Sequence, residues 1–170
     1  MGTGSVTLSQ QTLRSEFGDP TQFMFQDGSG VAREWENKIL GWARLPEGLP
    51  LSWDKTKIVR RFRCHLRLVQ RFESALARCH ADQSAWLSLN DFGGCYQFRP
   101  NKSDPNRLSA HAWGVALDID VLDNPRGAAP KMHPYVIQCF QNEGFVWGGL
   151  FPGHEVDGMH FEFADLSRLA

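Results

Sequence analysis

The 170 residues include 42% hydrophobic and 22% charged side chains, a balance ordinary for one folded domain able to bury a sizeable core. The formal net charge of -1 gives no overall pull toward nucleic acid or an anionic membrane, and no run approaches the ~18 apolar residues of a membrane span. Residues 1–7 lack the basic and apolar regions of a secretory signal, so the chain is expected to be made in the cytoplasm and to reach any external substrate by release or export. Cys64, Cys79, Cys95 and Cys139 show no C-x-x-C spacing and are expected as free, buried thiols.

Residues 1–32 are rich in Gly, Ser, Thr and Gln and read as an extended arm pinned by Phe17, Phe23 and Phe25, with the folded domain over 33–170. A short helix is expected over 32–40, followed by punctuation in Leu45-Pro-Glu-Gly-Leu-Pro50. From 56 to 78, Ile58, Phe62, Leu66, Val69, Phe72 and Leu76 recur at three- and four-residue steps, which predicts a core-facing helix. Its outer face carries Lys57, Arg60, Arg61, Arg63, Arg67 and Arg71, read as a solvated face or as attraction to an anionic wall polymer. Residues 85–89 read as a strand, 90–94 as a turn and 96–99 as a strand edge. Pro134 suits the first turn of a helix running to Glu143, stopped by Gly144.

Two stretches carry chemistry: Ser109-Ala-His-Ala-Trp-Gly-Val-Ala-Leu-Asp-Ile-Asp120 and Asp157-Gly-Met-His-Phe-Glu162. In the first, Val115, Leu117 and Ile119 alternate with Ala116, Asp118 and Asp120. In the second, Met159, Phe161 and Phe163 alternate with His160 and Glu162. Two strands, each apolar on one face and bearing ligand-type residues on the other, predict an α+β domain: a small antiparallel sheet with helices behind it and a metal site in front. A catalytic zinc needs three protein ligands and an open fourth position, a count that His111, Asp118 and His160 satisfy. Alternation alone leaves Asp120 and Glu162 open as ligands. Asp157 is the nearest carboxylate to serve as base, with Gly158 permitting a bend toward the pocket.

Ser109-x-His111-x-x-Gly114-x-Ala116-x-Asp118 followed by Asp157-x-x-His160 resembles the zinc D-alanyl-D-alanine carboxypeptidase and L-alanyl-D-glutamate endopeptidase family, the VanY-like peptidoglycan peptidases that share a fold with the hedgehog signalling domain. The resemblance runs from Trp86 to Phe163 and includes Gly94-x-Tyr96-x-x-Arg99 and Gly144-Phe-x-Trp147-Gly-Gly149. It implies His111, Asp118 and His160 as Zn2+ ligands, Asp157 as base and Arg99 as the cation facing a developing oxyanion, and it selects Asp118 over Asp120. It also implies peptidoglycan peptide stems as substrate. Asp rather than Glu three residues before the last ligand is the endopeptidase branch's habit.

Ser109, Trp113, Trp147 and His154 are candidate substrate contacts, each with a plainer reading as turn hydroxyl, core aromatic or solvated loop histidine. Glu162 is a candidate partner for a ligand imidazole's second nitrogen. No G-x-S-x-G elbow or P-loop is present. The resulting expectation is a monomeric zinc metallopeptidase, of the endolysin or wall-remodelling kind, cutting L-alanyl-D-glutamate bonds. The alternatives are a D-alanyl-D-alanine carboxypeptidase and a non-catalytic, zinc-stabilised wall- or protein-binding module.

Overall fold

The computed structural model describes residues 6–169. Ser9 accepts a hydrogen bond from the Thr12 backbone N–H and so caps a helix, α1 (Gln10–Phe17). Leu13 and Phe17, four residues apart, lie on one face of it and are buried. The extended arm is thereby corrected: its described part contains a helix whose apolar side enters the core. Of the three phenylalanines, Phe17 is buried, Phe23 packs against the core and Phe25 is exposed.

After the expected helix, here α2 (Arg33–Ile39), the chain forms two long antiparallel strands, β1 (Leu40–Leu51) and β2 (Asp54–His65). This corrects the helix expected over 56–78. Ile58, Phe62 and Leu66 have helical spacing, yet Ile58 and Leu66 are exposed while Phe62 and Cys64 alternate inward as strand residues do. The partner strand was hidden by its prolines. Pro46 has no N–H for a ladder, and the pairing jumps from Arg44↔Arg61 to Leu49↔Val59, so the irregularity absorbs Pro46.

The helical part of that segment is α3 (Val69–Ala81), with Phe72, Ala75, Leu76 and Cys79 buried. Asp82 then caps a short helix, α4 (Gln83–Leu87), where a strand was expected. The expected turn over 90–94 contains β3 (Phe92–Gly94), and residues 96–99 form no regular strand. The remaining elements are β4 (Ala116–Ile119), α5 (Pro134–Asn142), β5 (Phe145–Trp147) and β6 (His160–Phe163). Pro134 occupies the first turn of α5, and Gly144 follows at φ 93°.

Among the described residues the strands form one mixed sheet in the order β2-β1-β3-β4-β6-β5, parallel only between β1 and β3. Its central strands are apolar on one face, where α3 and α5 pack. Phe140 of α5 stacks on Phe161 of β6 at 4.3 Å, and Phe72 of α3 lies 4.6 Å from Phe145 of β5. All four cysteines are buried and free, as expected. No helix among the described residues is long and apolar enough to cross a membrane.

Candidate metal centre

Ser109 starts the site. Its hydroxyl accepts from the His111 backbone N–H and opens a 3-10 turn over Ala110–Trp113. Gly114 ends that turn at φ 67°, a conformation few side chains tolerate. A Cβ there would also lie 2.8 Å from the His65 backbone nitrogen, so glycine lets β4 begin hard against the end of β2. His111 thus sits on a turn and Asp118 on the following strand.

Register brings in the third group. Asp118 pairs with His160 across β4 and β6, with Leu117 opposite Phe161 and Ala116 opposite Glu162. Alternation ends after Ile119: Asp120 turns to φ 55°, and its carboxylate accepts from Asn90 and Asn124. It is therefore a structural hub outside the His–Asp–His group. Ligand-type atoms of His111, Asp118 and His160 all lie within 4.8 Å of one another.

The hydrogen bonds fit a cation at this point. His111 Nδ1 lies 2.6 Å from the Cys95 carbonyl oxygen, which only accepts, so Nδ1 carries the proton. In the neutral ring, Nε2 then presents a lone pair. It is buried without a hydrogen-bond partner, 3.3 Å from the Asp118 carboxylate. Two acceptors at that separation repel unless a positive charge stands beside them. His160 Nδ1 lies 2.9 Å from the same Asp118 oxygen, and Nε2 lies 2.9 Å from Glu162. Burial opposes charging His160, but the two carboxylates overcome it and push its pKa up to about 10. A proton thus holds the carboxylates together where a metal ion would replace it. Glu162, expected as a partner for a ligand imidazole, lies in that position.

Asp157 lines the same cleft with one carboxylate oxygen buried and unpartnered. Burial raises its pKa, as does Asp118, while His160, Arg126 and Lys102 pull the other way. Gly148 holds it in place: Asp157 N–H donates to the Gly148 carbonyl at 2.9 Å, and no Cβ fits between them. Gly158, expected as a bend, serves close packing instead, with Pro130 and Asn124 against it. Arg99 borders the cleft, its Nε bonded to Gln97 and its Nη1 to the Pro100 carbonyl.

The candidate substrate contacts divide. Ser109 lines the cleft. Trp113 is fully buried and donates to the Gly18 carbonyl at 2.7 Å, so it is a core residue with no face to offer. Trp147 is half-buried, bonded to the Gly158 carbonyl and packed over Gly149, and lies outside the cleft lining. His154 is exposed on the neighbouring 3-10 turn, whereas Phe151, Pro152 and Glu155 of that loop line the cleft. Residues the sequence did not single out also surround the site, Lys102, Arg107 and Arg126 on one side and Trp53 on the other, where Tyr96 of the Gly94-x-Tyr96-x-x-Arg99 motif joins it. Trp53 reaches the site because Ser52 N–H bonds to the Phe92 carbonyl at 3.0 Å, pinning the β1–β2 turn beside β3. Reading 40–65 as a hairpin would have placed it at a turn.

Residues 103–163 match the protein family described as D-alanyl-D-alanine carboxypeptidase. The match supports the VanY-like resemblance and contains His111, Asp118, Asp157 and His160, but not Arg99. No curated protein matches the chain.

Proposed function

We propose that the chain is a zinc-dependent peptidase that hydrolyses peptide stems of bacterial peptidoglycan, with the L-alanyl-D-glutamate bond as its target. The observation that carries this reading is the convergence of His111, Asp118 and His160, the last two lining a cleft whose wall also presents the unpartnered Asp157 carboxylate. His111 through Nε2, Asp118 and His160 through Nδ1 would hold the ion. A divalent ion there supplies a Lewis acid that polarises a carbonyl and acidifies water. Asp157 takes a proton from the attacking water at its buried oxygen and returns it to the leaving amine. Arg99 offers guanidinium N–H groups to the developing oxyanion. Glu162 fixes the ring of His160, and the Cys95 carbonyl fixes that of His111.

An endopeptidase needs room on both sides of the scissile bond. Two cavities meet at Arg99 and Asp118, one running past Asp157 toward Arg126 and the other past His111 toward Trp53. Open space on both sides of Arg99 and Asp118 favours an internal bond over a terminal D-alanine. Digestion of purified peptidoglycan, with products identified by mass spectrometry, tests the reading. New D-glutamyl N-termini are expected. Free D-alanine alone would instead identify a carboxypeptidase, and no product at full zinc occupancy would identify a binding module.

A further inference from the structure

We infer that Lys102, Arg107 and Arg126 form an anion subsite that takes the free carboxylate of the residue following the bond being cut. The inference rests on the peptidase reading of the metal centre. All three line the cleft with Arg99, and among the described residues none of the four has a carboxylate within 4.0 Å. Elsewhere several arginines are ion-paired, Arg63 with Glu36, Arg67 with Glu16, and Arg71 and Arg78 with Glu143, while Arg33, Arg44, Arg60 and Arg61, without a carboxylate among the described residues within 4.0 Å, lie apart from this cavity. Gathering unpaired cations around one cavity raises their mutual repulsion, which an anionic ligand relieves.

The loop that carries them is braced. Asn101 accepts through its side chain from the Ser103 and Asp104 backbone N–H groups, and Asn101 N–H donates to the Arg107 carbonyl at 2.7 Å. Gln10 of α1 clamps the loop's end, donating to the Leu108 carbonyl at 2.9 Å and accepting from Leu108 N–H at 3.0 Å. Arg126 reaches in from a separate segment, and its Nη2 donates to the Ser103 hydroxyl at 2.6 Å. That hydroxyl positions the guanidinium without neutralising it. The acids on the cavity wall separate into two groups. Asp118, Asp157 and Glu162 belong to the candidate metal centre, where a divalent ion would offset two of their three charges, leaving Asp104 and Glu155 against the cations of the rim. The Asp104 carboxylate already accepts from Asn106 N–H. A planar guanidinium beside an ammonium suits a carboxylate, which both can contact through charge-assisted hydrogen bonds.

Two synthetic stem peptides test the subsite, identical except that the residue after the L-alanyl bond carries either a free carboxylate or a carboxamide. The zinc-loaded enzyme should favour the acid by about tenfold in kcat/KM, the worth of one charged hydrogen bond. In Arg126→Gln combined with Lys102→Gln, that ratio should fall to near one. Binding of both peptides to the Asp157→Asn protein, measured by calorimetry, reads the same preference without turnover. A ratio that survives the double substitution, or is absent from the enzyme at the outset, overturns the subsite. Cleavage without acid preference removes the subsite and leaves the peptidase. Binding that discriminates acid from amide through Arg126, with neither peptide cut, retains the subsite and removes the peptidase.

Discussion

The Asp118 carboxylate faces the His160 imidazole across the β4–β6 ladder at 2.9 Å, and the same oxygen lies 3.3 Å from His111. One carboxylate oxygen is thus shared by two rings held from behind, one by a backbone carbonyl and one by Glu162. Such an arrangement would orient the three side chains for an ion before one binds.

The purified protein should therefore hold about one zinc per chain, and zinc should raise its thermal midpoint, because an ion that binds only the folded state stabilises it. His111→Ala and His160→Ala should each lose stoichiometric metal. Elemental analysis checks this, and full zinc in both variants would remove the ligand assignment.

Asp157→Asn preserves shape and should leave zinc content close to that of the parent, while turnover falls by about 10²–10⁴, the usual contribution of a positioned acid–base group. Rates must be compared at matched zinc occupancy, since an empty site and a missing base look alike. A parent-like rate would transfer the role to Glu162.

Arg99→Ala should keep its metal and lose about 10²–10³ in turnover if the guanidinium meets a developing oxyanion. A loss confined to KM would make Arg99 a contact for bound substrate alone.

His65 offers a prediction away from the site. It is buried at the end of β2, accepting from Arg67 N–H and donating to the Phe17 carbonyl. Burial lowers its pKa to about 4 from an ordinary value of 6.5. The unfolded chain then binds more protons than the folded one between those values, so stability is full above pH 6.5 and is lost as pH falls toward 4. Fully expressed, the loss is about 3 kcal/mol. Urea midpoints of the parent and His65→Gln should converge on acidification over that window. Parallel curves would show that His65 carries none of the effect.

The metal strands were legible because period-two alternation coincided with ligand chemistry: Leu117 and Ile119 lie inward, and Asp118 faces the cleft. The β1–β2 hairpin was not. Ile58 and Phe62 stand four apart, as a helix stripe would, and only long-range pairing with Pro50 and Ala43 makes the segment a strand. Pro46, Gly48 and Pro50 imitate a loop, since the cue for punctuation does not say whether a bulge can absorb it. The choice between core and cleft for Trp113 was left open, because it depends on Gly18, 95 residues away. The cleft's far wall went unread for the same reason: Trp53 and Lys102 are ordinary exposed residues until the topology sets them beside His111 and Asp157.

The position of β2 gives the arginine-rich run a further meaning. It is the outermost strand of the sheet, 12 residues long, and among the described residues no strand flanks its outer side. An open flank of that length is a template onto which another chain can zip. Lys55, Lys57, Arg60 and Arg61 are all exposed along it. Two copies meeting edge to edge would set these cations against their own counterparts. Repulsion between the Arg60 and Arg61 side chains of the two copies would therefore oppose pairing through this edge.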